Sequence, residues 1–200
     1  MIVIGDVHGR FDLIMELVDL LPKNSNLCFV GDLIDRGPDS KQVVDLVKDN
    51  NYQCVRGNHE DMLIRGFSDW TSVNLWYQNG GGITVDSFGG KDNCLKDYLP
   101  WLKSLPLYII YKNFLISHSY AYDSINTYED DLLWGRDLLS DPLNNEYINI
   151  FGHTPHKKVT QYGNNWCIDT GAFHTGVLSA IDLDDNMKLY QTKGKVNATV

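Results

Sequence analysis

The sequence lacks any apolar run that could cross a membrane. Its longest uninterrupted apolar stretch, 107–111, has five residues, whereas a membrane-spanning helix needs about 20. The chain opens with Met1–Ile4 and then the polar pair Gly5-Asp6. This opening has no basic segment, long apolar stretch or small-residue cleavage site of a secretory leader. We therefore expect a cytoplasmic protein with no membrane partner.

Cysteine is also scarce. The four cysteines, Cys28, Cys54, Cys94 and Cys167, lie far apart and form no CxxC pair. A chain of 200 residues can bury a core without disulfides or structural metals, so we expect reduced cysteines in that core. The absence of a cysteine cluster argues against a closed, four-ligand structural zinc site.

Positive charge is the third shortage. With 17 Lys and Arg against 26 Asp and Glu, the formal net charge is −9, which repels a phosphate backbone and disfavours nucleic acid as a partner. Low-complexity tracts, linkers and solenoid repeats are absent as well. With 43% hydrophobic residues, the composition is typical of a globular protein. We expect a monomer with a single domain over residues 1–192 and a frayed tail over 193–200.

Three apolar strands in the first 60 residues end in the same way. Ile2–Ile4, 27–30 and 53–55 each lead into a glycine next to polar residues. Amphipathic stretches separate them: one ends at Pro22, and another is capped by Asp39 or Ser40. Alternating strands and helices predict parallel pairing with right-handed crossovers, which brings the polar strand ends to one edge of the sheet.

The second half predicts shorter strands at close spacing. Tyr108–Tyr111 and 114–116 flank a hairpin turn. Further strands are predicted over 147–151, 159–162, 166–169, 177–182 and 188–192, and helices over 60–67, 73–78, 92–98 and 128–133. The close spacing favours antiparallel pairing. The fold class expected is α/β, with two mixed sheets packed as a sandwich and flanked by helices.

Residues with metal-binding side chains follow five of these strands. They are Asp6, His8, Asp32, Asn58, His118 and His153. One such residue alone is more often a helix cap or a satisfied polar group, but the same habit at five strand ends favours a metal site. Mixed oxygen and nitrogen ligands suit manganese, iron or zinc better than calcium or magnesium. Six side chains can serve two ions if one carboxylate bridges, and Asp32 lies on the middle strand of the first three.

Arginine gives an independent clue. Of five arginines, Arg36 and Arg56 fall inside the same motifs, where a planar guanidinium can bind two phosphate oxygens. A surface ion pair is the alternative for each. Arg10 is either a further phosphate contact or a surface arginine at a helix start. His156 and His174 fit no ligand position, and His174, soon after 169–171, is the better candidate for lining a cleft.

The motifs resemble a known family. Gly5-Asp-Val-His-Gly9, Gly31-Asp-Leu-Ile-Asp-Arg-Gly37, Arg56-Gly-Asn-His-Glu60, Ser117-His118 and Gly152-His-Thr-Pro155 resemble, in order and spacing, the signature of the calcineurin-like phosphoprotein phosphatase family. Three further segments, 79–82, 134–136 and 168–171, resemble the small phage and bacterial branch of that family, the lambda-type serine/threonine protein phosphatases. The resemblance covers nearly the whole chain.

The resemblance implies a four-layer αββα metallophosphoesterase fold and a site with two divalent ions, Mn²⁺ foremost and Fe or Zn as alternatives. It assigns Asp6 and His8 to one metal, Asn58, His118 and His153 to the other, and Asp32 to both. It assigns Arg36, Arg56 and Arg136 to the substrate phosphate. His59, oriented by Asp35, would be the general acid.

The function expected is that of a phosphoprotein phosphatase acting on Ser/Thr phosphomonoesters, with phosphotyrosine and aryl phosphates as side substrates. Hydroxide bridging the two cations would attack phosphorus directly, without a covalent phosphoenzyme. The alternative is a symmetrical diadenosine tetraphosphate hydrolase, whose weakly basic leaving group needs His59 less. A noncatalytic phosphate-binding module is disfavoured because every expected ligand position is filled.

Overall fold

The computed structural model describes residues 1–90, 97–121, 128–136 and 146–194. Within them, ten strands form two five-stranded sheets. The first sheet has the order β10-β9-β1-β2-β3. Its strands are β1 (Ile2–Ile4), β2 (Leu27–Phe29), β3 (Gln53–Cys54), β9 (Ser179–Asp182) and β10 (Lys188–Gln191). The predicted parallel pairing of β1, β2 and β3 is confirmed, and β9 pairs antiparallel with β1 and with β10.

The second sheet has the order β4-β5-β6-β8-β7. Its strands are β4 (Tyr108–Tyr111), β5 (Phe114–Ser117), β6 (Ile148–Phe151), β7 (Thr160–Tyr162) and β8 (Asn165–Cys167). The predicted hairpin β4-β5 and the expected mixed character of the sheet are confirmed. The antiparallel pairing that close spacing favours holds for β4-β5 and β7-β8, whereas β5, β6 and β8 run parallel. The chain between β5 and β6 is long enough for a crossover. After β7, β8 inserts beside β6 and leaves β7 at the edge.

The helices flank the sheets. The longer ones are α1 (Phe11–Leu20), α2 (Ser40–Asp49), α3 (Asn58–Gly66) and α4 (Trp70–Trp76). Shorter ones are α5 (Gly82–Ser87) and the helices Leu99–Ser104, Glu129–Trp134 and Ala172–Thr175. A wider π-type turn, Tyr77–Gly81, joins α4 to α5. The predicted helix over 92–98 falls mainly on 91–96, outside the described residues. Asp39 precedes α2, but its side chain makes no capping hydrogen bond.

Alternating side chains of β1 divide the core into layers. Val3 packs in a cluster with Ile116 and Ile150 of the second sheet. Ile2 and Ile4 belong to a cluster that includes residues of α1 and α2. This alternation is expected of a strand between two apolar layers. The first sheet therefore packs against α1 and α2 on one face and against the second sheet on the other. This packing also holds the carboxyl ends of β1, β2, β5 and β6 next to one another.

Two further expectations concern composition. Cys28, Cys54 and Cys167 are buried free thiols, and Cys94 lies outside the described residues. No helix in the described part of the chain is long and apolar enough to cross a bilayer. Residues 195–200 of the predicted tail lie outside the described residues. The backbone N–H of Lys193, at the start of that tail, donates to Oε1 of Glu16.

Candidate active site

The predicted metal ligands meet where the two sheets adjoin. Asp6, His8 and Asp32 follow β1 and β2, Asn58 begins α3 just after β3, and His118 and His153 follow β5 and β6. All six are buried. One ligand atom each from Asp6, Asp32 and His118 lie within 4.8 Å of one another. The backbone N–H of His153 donates to Oδ1 of Asp6 at 3.2 Å, so residues 147 positions apart in sequence meet in this cluster, as the strand ends predict.

Asp32 lies at the centre of this cluster. Its Oδ2 is 3.5 Å from Nε2 of His8, and its Oδ1 is 3.5 Å from Nε2 of His118. Asn58 adds its Oδ1, which is 2.8 Å from the same His118 nitrogen and 3.1 Å from Nδ1 of His153. The carboxylate therefore faces imidazoles from both sheets, which is the position that a bridging ligand requires.

The imidazoles are oriented for coordination. Nδ1 of His8 donates to the carbonyl of Ile34 at 3.0 Å, and Nδ1 of His118 donates to the carbonyl of Val30 at 2.8 Å. With the proton fixed on Nδ1, each ring directs the Nε2 lone pair into the cluster. Nε2 of His153 is buried and has no hydrogen-bond partner among the described residues. An orphaned buried nitrogen is costly unless a ligand or ion satisfies it, so this ring fits a metal ligand.

The pKa values agree with a cation site. Burial lowers the pKa of His8 and of His153 to about 3, so both rings are neutral ligands at pH 7. Burial, together with the charges of Asp169 and Asp32, raises the pKa of Asp6 well above its usual range. Burial alone would raise the pKa of Asp32 too, but the imidazoles of His118, His59 and His8 lower it overall. Cations bound here would relieve the repulsion between these carboxylates.

The backbone is strained around the same residues. His8, Asp32, Asp35, Arg36 and His153 all have positive φ, between 48° and 70°. Such conformations cost about 1–3 kcal/mol each and persist only where surrounding contacts enforce them. Five of the ten non-glycine residues with positive φ in the described part of the chain thus lie at the site, where the turns set the positions of these side chains.

A buried imidazole–carboxylate pair lies beside the metal ligands. Nδ1 of His59 is 2.6 Å from Oδ2 of Asp35, and the backbone N–H of His59 donates to Oδ1 of Asp32 at 3.0 Å. Burial alone would lower the pKa of His59, but Asp32 and Asp35 raise it overall. His59 can therefore carry a proton near neutral pH and present Nε2 to a bound substrate.

Arg36 and Arg136 line one cleft. Nη1 of Arg36 lies 2.7 Å from Nε2 of His8, and its Nη2 lies 3.0 Å from Nε2 of His59. Together with Arg136, His153 and His174, Arg36 lines a cleft of about 510 Å³. The structure thus brings two of the three predicted phosphate-binding arginines to the site, and it places His174 in the cleft wall.

Arg56 takes a different position. Its guanidinium donates to the carbonyls of Lys103 at 3.0 Å and Leu105 at 3.4 Å, and it lies 3.7 Å from the carboxylate of Asp61 and 3.4 Å from that of Glu129. These partners tie the end of β3 to neighbouring segments. The predicted contact of Arg56 with phosphate stays a prediction, since both Nη atoms face these groups while its buried Nε has no hydrogen-bond partner among the described residues.

The remaining two basic candidates have local partners. Arg10 pairs with Asp12 at 2.8 Å and reaches the carbonyls of Ala172 and Phe173 at 3.4 Å, which favours the surface arginine at a helix start. His156 contacts the carbonyl of Thr154 at 2.6 Å and the hydroxyl of Tyr162 at 2.5 Å.

Sequence reasoning assigned no role to two buried carboxylates of the site. Glu60 accepts the backbone N–H groups of Asp32, Leu33 and Gly57 at 2.8–2.9 Å, and burial raises its pKa to about 7. Asp169 follows β8, accepts the N–H of Gly171 at 2.8 Å, and has its pKa raised to about 6, chiefly by burial. The sequence feature that could have identified them is their position inside two of the motifs, Glu60 in 56–60 and Asp169 in 168–171.

Comparison with known proteins agrees with this geometry. The family model described as calcineurin-like phosphoesterase matches residues 1–188. The chain therefore belongs to the calcineurin-like phosphoesterase family, and it is a hydrolase of the metallophosphoesterase class. The family uses a dimetal centre, which the ligand set and the orphaned His153 nitrogen fit.

Two kinds of name occur among the relatives that match most of the chain. The chain is 32% identical over 196 residues to serine/threonine-protein phosphatase 2 of Escherichia coli K12, covering 88% of this chain and 89% of the relative. It is 30% identical over 220 aligned positions to the asymmetrical bis(5'-nucleosyl)-tetraphosphatase PrpE of Anoxybacillus flavithermus, covering 90% and 88%. A crystal structure of a protein described as a diadenosine tetraphosphatase superposes with a TM-score of 0.74 at 20% identity, covering 98% of this chain and 93% of that one, which shows the shared fold.

Proposed function

We propose that this hydrolase is a metal-dependent protein phosphatase that removes phosphate from phosphoserine and phosphothreonine, with phosphotyrosine and aryl phosphates as side substrates. The observation that carries the proposal is the buried His59–Asp35 pair, whose Nδ1–Oδ2 distance is 2.6 Å. A serine or threonine alkoxide is a very poor leaving group, so its departure requires a proton donor. The serine/threonine phosphatase names among relatives 32% identical to the chain support the same activity.

Six side chains would hold the metals: Asp6, His8, Asp32, Asn58, His118 and His153. Two divalent cations, Mn²⁺ foremost among the candidates, would supply a water of lowered pKa as nucleophile and positive charge for the phosphoryl oxygens. The protein's contribution is a dry, oriented ligand set in which His8 and His118 are held through Nδ1 by backbone carbonyls.

The chain's other residues bind the phosphate and protonate the leaving group. Arg36 and Arg136 in the cleft would neutralise the nonbridging phosphate oxygens through bidentate hydrogen bonds. His59, held by Asp35, would give its Nε2 proton to the departing oxygen. Such assistance contributes about 10²–10⁴ in rate.

The first experiment separates metal-dependent hydrolysis from phosphate binding alone. Protein stripped by a chelator is assayed with p-nitrophenyl phosphate, with and without Mn²⁺, beside Asp32→Asn. We expect Mn²⁺ to restore turnover in the wild type and Asp32→Asn to lose it. Absence of turnover with any divalent ion would overturn the phosphatase proposal.

A second candidate function is hydrolysis of a dinucleoside tetraphosphate, which the names of several relatives favour. The leaving group of a phosphoanhydride is a weak base, so this reaction depends less on His59. The test compares wild type and His59→Asn on a phosphoserine peptide and on diadenosine tetraphosphate. We expect the wild type to prefer the peptide and the variant to lose most of that activity. A clear preference of the wild type for the dinucleotide would favour the second function.

A further inference from the structure

The segment from Trp76 to Thr84 packs against the Asp35–Arg36 turn. Nε1 of Trp76 lies 3.0 Å from both carboxylate oxygens of Asp35, and the hydroxyl of Thr84 donates to Oδ1 of Asp35 at 2.6 Å. All three side chains are buried. Neither Trp76 nor Thr84 takes part in metal binding, phosphate binding or proton transfer as described above.

The same segment also supports the backbone of the turn. The N–H of Asp35 donates to the hydroxyl oxygens of Thr84 at 2.9 Å and Ser40 at 3.1 Å. Asp35 and Arg36 have φ of 70° and 68°, so these contacts stabilise a conformation that the turn would otherwise disfavour. Gly80, itself at φ 108°, comes so close that a Cβ there would lie 2.8 Å from the nitrogen of Arg36. The segment therefore holds Asp35 by both its backbone and its carboxylate.

Fixing the carboxylate of Asp35 fixes the ring of His59. Oδ1 of Asp35 accepts a hydrogen bond from the hydroxyl of Thr84, and the indole N–H of Trp76 contacts both carboxylate oxygens. Oδ2 accepts a hydrogen bond from Nδ1 of His59 at 2.6 Å. A carboxylate restrained in this way presents one oxygen to the ring and keeps a proton on Nδ1. Nε2 of His59 then lies 3.0 Å from Nη2 of Arg36, a residue that lines the cleft.

We propose that Trp76 and Thr84 are positioning residues that orient the Asp35–His59 pair for proton donation to the leaving group. The inference rests on the proposed function, since it assumes that His59 protonates a departing oxygen. It adds two residues from outside the metal and phosphate motifs to the catalytic arrangement. It also gives the turn Tyr77–Gly81, which places α4 and α5 on the same carboxylate, a role in the active site.

The kinetic test uses Trp76→Phe and Thr84→Val, which remove the donors and keep most of the apolar volume. Trp101→Phe is the matched control: Trp101 packs against the same core, and its indole N–H donates no hydrogen bond within the described residues. We measure kcat on a phosphoserine peptide and on aryl phosphates with leaving groups of graded pKa. Trp76→Phe and Thr84→Val should lose about 10-fold or more on the peptide, part of the general-acid contribution. They should lose little on the aryl phosphate with the most acidic leaving group.

Thr84→Ser should restore the activity lost in Thr84→Val because it returns the hydroxyl. If Trp76→Phe fails to fold, the comparison of Thr84→Val with Thr84→Ser still tests the proposal. Equal losses on all leaving groups, or no rescue by Thr84→Ser, would overturn the positioning role and leave only packing.

A second readout does not depend on turnover. The Nδ1 proton of His59, hydrogen-bonded to Asp35, should give a downfield proton resonance in NMR spectra of the wild type and of Trp101→Phe. That resonance should shift or exchange away in Trp76→Phe and Thr84→Val. If the wild type hydrolyses no phosphomonoester, the proposed function fails, yet the resonance still reports whether Trp76 and Thr84 hold the pair. An unchanged resonance in both variants would contradict the proposal.

Discussion

At the scale of single residues, the site shows what chemistry alone can predict. Asp32 and His118 are metal-ligand types at strand ends, and the structure places their ligand atoms 3.5 Å apart. Arg56 satisfies the same kind of argument, yet its guanidinium donates to the carbonyls of Lys103 and Leu105. Residue type and strand position locate a backbone well. They do not decide which of several nearby acceptors a long, flexible side chain will contact.

The carboxylate of Asp169 gives a residue-scale prediction. It follows β8, which runs parallel to β6, and its charge, together with burial, raises the pKa of Asp6. Asp169→Asn should weaken Mn²⁺ binding by about 10-fold, the lower end of the effect of groups that surround metal ligands. Titration calorimetry at pH 7 measures the affinity.

The same change should stabilise the metal-free protein. The pKa of Asp169 is raised to about 6 in the folded state, so the ionised carboxylate disfavours folding above that pH. The melting temperature of Asp169→Asn without metal should therefore exceed that of the wild type at pH 7 to 8, and the gap should close as the pH falls below 6. Asp182→Asn is the control, because Oδ1 of Asp182 also accepts the N–H two residues on but lies at the far end of β9. Equal effects of the two changes would refute the electrostatic account.

At the scale of elements, the strands were more predictable than their pairing. Short apolar runs and strand-like segments between turns predicted a segment that overlaps each of the ten described strands, because burial of a strand selects apolar residue types directly. Pairing in the second sheet depends on the position of β8 between β6 and β7. No local sequence pattern predicts that position. The helix Gly82–Ser87 was missed because it begins in the glycine run 80–82, which reads as a loop. Its Thr84 is nevertheless a partner of Asp35, so the part of the site that this helix supplies was missed with it.

The turn after β6 gives an element-scale prediction. A Cβ at Gly152 would lie 1.9 Å from Oδ1 of Asp6 and 2.8 Å from Cγ2 of Val30. Gly152→Ala must therefore displace the carboxylate of Asp6 or shift the strand end. We expect about 10-fold weaker Mn²⁺ binding and destabilisation of about 1–3 kcal/mol from overpacking, measured by calorimetry and by urea unfolding.

Gly66→Ala is the matched control for that turn. Gly66 ends α3, where the nearest atoms to a new Cβ belong to Val73 at 3.5 Å, an ordinary contact. It should leave Mn²⁺ affinity unchanged and alter stability by no more than about 1 kcal/mol, in the stabilising direction that helix propensity favours. Unchanged metal binding in Gly152→Ala would show that the close packing of Gly152 on Asp6 does not set the ligand geometry.

At the scale of the whole molecule, the metal ligands connect the two sheets. Asp6, His8 and Asp32 belong to the first sheet and His118 and His153 to the second, so bound cations would crosslink layers that otherwise meet through apolar contacts such as Val3 with Ile116. An unfolded chain cannot bring these ligands together. Binding energy therefore adds to the stability of the folded state.

This coupling predicts the response of the molecule to metal. At a free Mn²⁺ concentration 100 times the dissociation constant, one site stabilises the fold by about 2.7 kcal/mol, which for a domain of this size raises the melting temperature by about 5–10 °C. Calorimetric scans of chelator-stripped protein with increasing Mn²⁺ should show this rise, and Asp32→Asn should show little of it. Calcium, which prefers oxygen ligands, should shift the wild type less than Mn²⁺, because three of the six ligands are imidazoles. An equal rise in the melting temperature of Asp32→Asn would mean that Mn²⁺ binds and stabilises the protein at another site. The apolar core alone would then hold the two sheets together.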